Sequence, residues 1–113
     1  VKRTAKGINY RLIKGFFSET LAVGAESYGI KKSRIVFIDS DTYRSAIDAL
    51  LFVIPTIQEG SYIILDDYFS YRGNQSLGVA KAFREFLEQG KFSGRHVLNY
   101  GMGGVAFVIS GMK

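Results

Sequence analysis

Two short unbroken apolar runs, Ile35-Val36-Phe37-Ile38 and Tyr62-Ile63-Ile64-Leu65, constrain the fold of this chain more than any other feature. Neither alternates with polar residues as a half-exposed strand does. Continuous runs of this length are the pattern of strands covered on both faces, as in a parallel α/β sheet. Each run ends in acid: Asp39, Ser40 and Asp41 follow the first, and Asp66-Asp67 follow the second. The carboxyl ends of strands in such a sheet form the crevice where ligands bind. Carboxylates gathered there repel one another unless protons or a cation compensate. A hard divalent ion with oxygen ligands is the natural compensator.

The segments around these runs supply the rest of an α/β chain. Tyr43 to Ile54 reads as a helix, with Ile47, Leu50, Leu51 and Ile54 at the i, i+3, i+4, i+7 spacing of one buried stripe. Asp41 or Thr42 can cap it, and Pro55 and Gly60 close it. Leu77 to Gln89 reads as a second helix, with Val79, Phe83, Phe86 and Leu87 on one face and Gly90 as its stop. Arg95 to Tyr100 and Val105 to Ser110 read as strands joined through Gly101-Met102-Gly103-Gly104, an antiparallel hairpin. Tyr10 to Gly15 reads as an early strand, Phe16 to Leu21 as a loop or one helical turn, and Val23 to Ile30 as an irregular stretch with two glycines. Alternating strands and helices imply right-handed crossovers and a mostly parallel sheet, with the hairpin as an antiparallel edge.

Composition sets the bounds. A chain of 113 residues is one domain at most, and 47% hydrophobic content supports a packed core. The apolar stretch from Ala46 to Ile57 is too short and interrupted for a membrane span, and Val1 to Tyr10 has no apolar block of the signal-peptide kind. There is no cysteine, which rules out disulfides and thiolate metal sites and fits a cytoplasmic protein. The net charge of +5 sits on Lys2, Arg3, Lys6, Arg11 and Lys14, while the remaining ten basic and ten acidic residues cancel. Such an arm could touch phosphate-bearing ligands. It reads more simply as a solvated strand edge, where lysine discourages aggregation, because nucleic-acid binding calls for a patch with aromatic platforms.

Each acid also has an ordinary structural role open to it: Asp41 as a helix cap, Asp67 as a turn former. Four acids on two strand ends favour a metal or catalytic site, because like charges in one crevice cost stability. Asp39 and Asp41 are aimed alike if the chain stays extended, whereas adjacent Asp66 and Asp67 diverge unless a turn follows Leu65. Tyr43, Tyr68, Phe69 and Tyr71 could wall a substrate or serve as ordinary semi-buried aromatics. His96, the lone histidine, reads as a packing or surface residue. No phosphate-cradling glycine loop occurs, since Gly101 to Gly104 lacks the strand-loop-helix context.

Ile38-Asp39-Ser40-Asp41-Thr42-Tyr43-Arg44-Ser45, Asp48-Ala49-Leu50 and Gly60-Ser61-Tyr62-Ile63-Ile64-Leu65-Asp66-Asp67-Tyr68 resemble the macrocin O-methyltransferase family of sugar O-methyltransferases. Upstream, Lys14-Gly15-Phe16-Phe17-Ser18-Glu19-Thr20-Leu21 resembles that family's KGxFxxTL segment, and Ala80 to Phe86 its later helix. Position 61 is Ser where the family usually has a second Gly, and position 44 is Arg where Glu is common.

The resemblance implies a partial Rossmann-like methyltransferase fold, corresponding to the C-terminal half of such an enzyme with its first two strands missing. It implies S-adenosylmethionine and magnesium as cofactors, with Asp39, Asp66 and Asp67 as metal ligands and Asp41 as the base that deprotonates the acceptor hydroxyl. It assigns Ser40 to the cofactor and Tyr43 and Tyr68 to the substrate. The acceptor is expected to be a small molecule, a sugar or sugar-bearing natural product, with neither membrane nor nucleic acid as partner. The open sheet implies a homo-oligomer, with Tyr10 to Gly15 pairing elsewhere or a second copy supplying a neighbour. The alternatives are a non-catalytic methyltransferase-like domain and a magnesium-dependent phosphohydrolase or phospho-acceptor domain.

Overall fold

The computed structural model describes residues 2–5 and 7–112. A small antiparallel hairpin, β1 (Lys2–Ala5) with β2 (Ile8–Arg11), precedes the main unit. Lys6 of the basic arm lies outside the described residues. The expected strand over Tyr10 to Gly15 is therefore corrected: pairing stops at Arg11, and Gly15, at φ 142°, stands where only glycine is at ease. Tyr10 and Arg11 pair with Arg3 and Lys2, away from the main sheet. Of the loop and the helical turn open to residues 16–21, the structure has the turn, α1 (Phe17–Thr20), and the irregular stretch after it holds a 3-10 turn over Ala25–Tyr28.

The main sheet has the order β3-β4-β6-β5, from β3 (Ile35–Ile38), β4 (Tyr62–Leu65), β5 (Phe92–Tyr100) and β6 (Gly104–Met112). β3 and β4 pair in parallel, β6 runs antiparallel to β4, and β5 antiparallel to β6. Three strands thus point the same way and only β6 opposes them, which is the mixed α/β sheet with an antiparallel C-terminal hairpin read from the sequence.

Helix α2 (Tyr43–Val53) starts where Thr42 Oγ1 accepts the Ser45 N–H at 3.2 Å, so Thr42 is the cap and Asp41 is left exposed. Its buried face is Ala46, Ile47, Ala49 and Leu50; Leu51 is exposed, because the two-alanine flank rather than the Leu51 flank meets the neighbouring layer. Helix α3 (Gly78–Gly90) buries Val79, Phe83 and Phe86 as its spacing predicts. Its stop is Lys91, in the left-handed region at φ 57°, not Gly90. Gly90 answers a different need, since a Cβ there would lie 2.1 Å from the Phe92 ring.

Both helices pack on one face of the sheet. Leu50, Ile63, Leu65 and Phe86 are fully buried between the layers, each contributing roughly 1.5–3 kcal/mol by removal from water. The expectation that both faces are covered fails here. Ile35 (62% exposed) and Phe37 (55%) lie bare on the opposite face, beside Tyr62. Ser61 is fully buried, and its hydroxyl explains why serine fits: it donates to Ser33 O at 2.6 Å and accepts from Gln58 N at 3.0 Å.

Candidate metal centre

The parallel register of β3 and β4 pairs Ile38 with Leu65, so Asp39 and Asp66 leave the sheet at one level. The ladder extends one step further, with Asp66 N–H donating to Ile38 O at 3.0 Å. The chain then turns at once, held by Ser70 N–H and Ser70 Oγ, both donating to Asp67 O. This turn resolves the problem of two adjacent acids. One carboxylate oxygen from each of Asp39, Asp66 and Asp67 lies within 4.8 Å of the others.

The electrostatics match that crowding. The Asp67 carboxyl is pushed above its ordinary value, first by burial and then by the charges of Asp66, Asp39 and Asp41. Asp41 therefore belongs to the same field without joining the close triplet. Among the described residues no Lys or Arg pairs with these acids; the ion pairs are Arg44–Asp48, Arg84–Glu85 and Arg84–Glu88. Octahedral magnesium, with metal–oxygen distances of about 2.1 Å, takes oxygen donors and tolerates carboxylates well. The donor set, its spacing and its unrelieved repulsion fit such an ion.

The neighbourhood adds two features. Ser40 Oγ is buried without a hydrogen-bond partner. A buried hydroxyl left unpaired costs about 1–3 kcal/mol, so its placement beside Asp39 suits a ligand that would satisfy it. Tyr100, which sequence reasoning did not single out, donates its hydroxyl to Asp66 Oδ1 at 2.9 Å. Its phenol is pushed up to about 12, by burial first and then by the Asp66 hydrogen bond and the surrounding acids, so it is a neutral donor. Asp66, Asp67, Phe69, Ser70, Tyr100 and the Gly101–Gly104 turn line a pocket of about 340 Å³.

The other expected site residues lie apart from the acids in their contacts. Tyr43 donates its hydroxyl to Glu85 on α3 at 2.5 Å, and Lys81 Nζ stands 4.3 Å above its ring. Tyr68 is packed among Phe69, Phe83 and Phe107, and burial raises its phenol above the ordinary value, with the Gln75 side chain acting in the lowering direction. Phe69 and Tyr71 are exposed, and Phe69 lines the acidic pocket. His96 pairs with Asn99 and sits edge-on to Phe107, a surface role as read.

The fold is one found in O-methyltransferases of known structure. The O-methyltransferase NovP superposes with a TM-score of 0.65 at 23% identity, over 85% of this chain and 36% of its own. CalS11, a TDP-rhamnose 3'-O-methyltransferase of calicheamicin biosynthesis, gives 0.62 at 17% identity, over 85% of this chain and 39% of its own. The chain thus spans well under half the length of these proteins. Residues 6–94 match the macrocin-O-methyltransferase (TylF) family, and the chain belongs to that family. No curated protein sequence matches it significantly.

Proposed function

We propose that this chain carries the metal and base machinery of an S-adenosylmethionine-dependent, magnesium-assisted O-methyltransferase acting on a hydroxyl of a sugar or sugar-bearing natural product. The observation that carries this reading is the convergence of Asp39, Asp66 and Asp67 at the carboxyl ends of two parallel strands in a member of this family. A cytoplasmic setting accords with the lack of cysteine, and no helix among the described residues is long and apolar enough to cross a membrane.

When bound, magnesium supplies Lewis acidity that eases loss of the acceptor's hydroxyl proton, and S-adenosylmethionine supplies a methyl group already activated by the sulfonium. Asp39, Asp66 and Asp67 hold the cation. Asp41 is exposed, is not used as a helix cap and lies in the same field, so it takes the acceptor's proton. Ser40 offers its unpaired hydroxyl to the cofactor. The assignment of Tyr43 and Tyr68 to the substrate rests on the family resemblance, since their contacts are with Glu85, Lys81 and the aromatic cluster and not with the acids. Holding acceptor and donor in line accounts for much of the rate.

Calorimetry with MgCl2 and with S-adenosylmethionine, followed by methyl transfer to TDP-rhamnose as a first acceptor, tests this. Magnesium binding lost in Asp39→Ala and Asp66→Ala, with cofactor binding by the parent chain, supports it. Unchanged magnesium heats in both variants remove the metal assignment. Magnesium binding without cofactor binding favours the non-catalytic alternative.

The open edge of β3 favours a homo-oligomeric form. Among the described residues β3 has a neighbour on one side only, and Ile35 and Phe37 are bare beside it. A strand edge is self-complementary about a two-fold axis, so a second copy can satisfy it isologously. Light scattering after size exclusion should give twice the chain mass, and Phe37→Lys should return the monomer.

A further inference from the structure

We propose that Tyr100 is a positioning residue for the cation site, fixing the Asp66 carboxylate so that its remaining lone pairs face Asp39 and Asp67. The inference rests on the metal reading above and deepens it.

Three observations carry it. First, the Tyr100 hydroxyl donates to Asp66 Oδ1 at 2.9 Å across 34 residues of sequence. A carboxylate offers about four lone-pair positions; this bond takes one and stops rotation of the group, leaving the others free. Second, the ring's place is built into the hairpin. Tyr100 and Gly104 are register partners, and a Cβ at Gly104 would lie 2.3–2.5 Å from the ring's Cζ, Cε1 and Cε2. The ring therefore lies flat on the one residue type that leaves room for it. Gly104 is thus explained by close approach and not by a turn conformation. Third, hairpin and acidic turn are tied together, with Phe69 N–H donating to Gly103 O at 3.2 Å. The donor and the carboxylate it orients thus belong to one unit.

The chemistry of the donor matters as well. An arginine or lysine in this place would neutralise Asp66 and compete with a cation. A phenol orients the carboxylate and leaves its charge available. Partners of this kind, one step removed from the metal, typically change metal affinity 10- to 100-fold when lost.

The test uses Mn2+ as a spectroscopic stand-in for magnesium, followed by electron paramagnetic resonance and calorimetry on the full chain. Tyr100→Phe keeps the ring and removes only the hydroxyl. It should weaken Mn2+ binding about 10- to 100-fold and alter the bound-Mn2+ spectrum, while the metal-free unfolding midpoint stays near that of the parent. Gly104→Ala, which pushes the ring away without touching the hydroxyl, should produce the same loss, and the double variant should lose no more than either alone. Mn2+ bound by the parent and equally well by Tyr100→Phe overturns the positioning role and leaves the metal reading intact. A parent chain that binds no Mn2+ overturns the metal reading, and this inference with it.

Discussion

Ile38 and Leu65 are register partners on adjacent parallel strands, and the residue after each is an aspartate. The backbone therefore forces Asp39 and Asp66 to the same height at the sheet's end whatever their charges prefer. Repulsion that side-chain choice could have avoided is fixed in place by strand register, and Asp67 adds a third charge through the turn that follows. Such an arrangement is costly without a counter-charge and favourable with one.

That cost gives a pH dependence with a definite sign. Asp67 in the folded chain has its pKa raised above the ordinary aspartate value of 3.8, so folding favours its protonated form. The stabilisation this provides is fully present below the unfolded value and is lost as pH rises through the folded one. In metal-free buffer the parent should therefore lose stability relative to Asp67→Asn as pH climbs from 3.8 toward neutrality. Added MgCl2 at neutral pH should raise the melting temperature of the parent and leave that of Asp67→Asn in place. Urea titrations across this range check the first half; parallel stability curves for the two proteins would falsify it.

Thr42 and Asp41 stand next to each other at the start of α2, yet only Thr42 caps it. Thr42→Ala should lower the unfolding free energy by about 1 kcal/mol. Asp41→Ala should stay within about 0.5 kcal/mol of the parent and still lose methyl transfer, since its proposed role is to take a proton. Denaturant unfolding of both variants beside a turnover assay separates the roles. A loss of stability in Asp41→Ala equal to that of Thr42→Ala would return Asp41 to a structural part.

The sequence showed these acids better than it showed their surroundings, for physical reasons. β3, β4, α2, α3 and the final hairpin were legible because apolar runs and helical stripes are local patterns. The turn that joins Asp66 to Asp67's direction was foreseen as a requirement, and Ser70 supplies it. The β1–β2 hairpin was hidden because its two four-residue strands carry only Ala5, Ile8 and Tyr10 as apolar residues, too few and too interrupted by charge to mark a strand pair in a local window. Tyr100 was missed because its tie to Asp66 depends on the register of β5, β6 and β4 together, which no local window contains. Gly104, opposite an aromatic across a hairpin, was the available signal. The bare outer face carrying Ile35 and Phe37 could not be read from apolar runs, which describe what a strand can bury and not which layers are present.

The end of α3 offers a prediction in which two neighbouring positions respond with opposite signs. Gly90 is helical, and in an open helix Ala in its place would gain about 1 kcal/mol. Here the new Cβ would meet Phe92 ring atoms at 2.1 to 2.7 Å, and Phe92 is itself buried against Phe86 with ring centroids 5.1 Å apart. Overpacking of this kind costs about 1–3 kcal/mol, so Gly90→Ala should destabilise on balance. Lys91 holds the left-handed conformation at φ 57°, where a Cβ costs roughly 1–2 kcal/mol. Lys91→Gly should therefore stabilise the chain, by about 1 kcal/mol once glycine's extra unfolded-state freedom is counted. Chemical denaturation of the two single variants decides it. Gly90→Ala as stable as the parent would mean that Phe92 can move aside, and that the α3–β5 junction is looser than the packing of Phe86 and Phe92 implies.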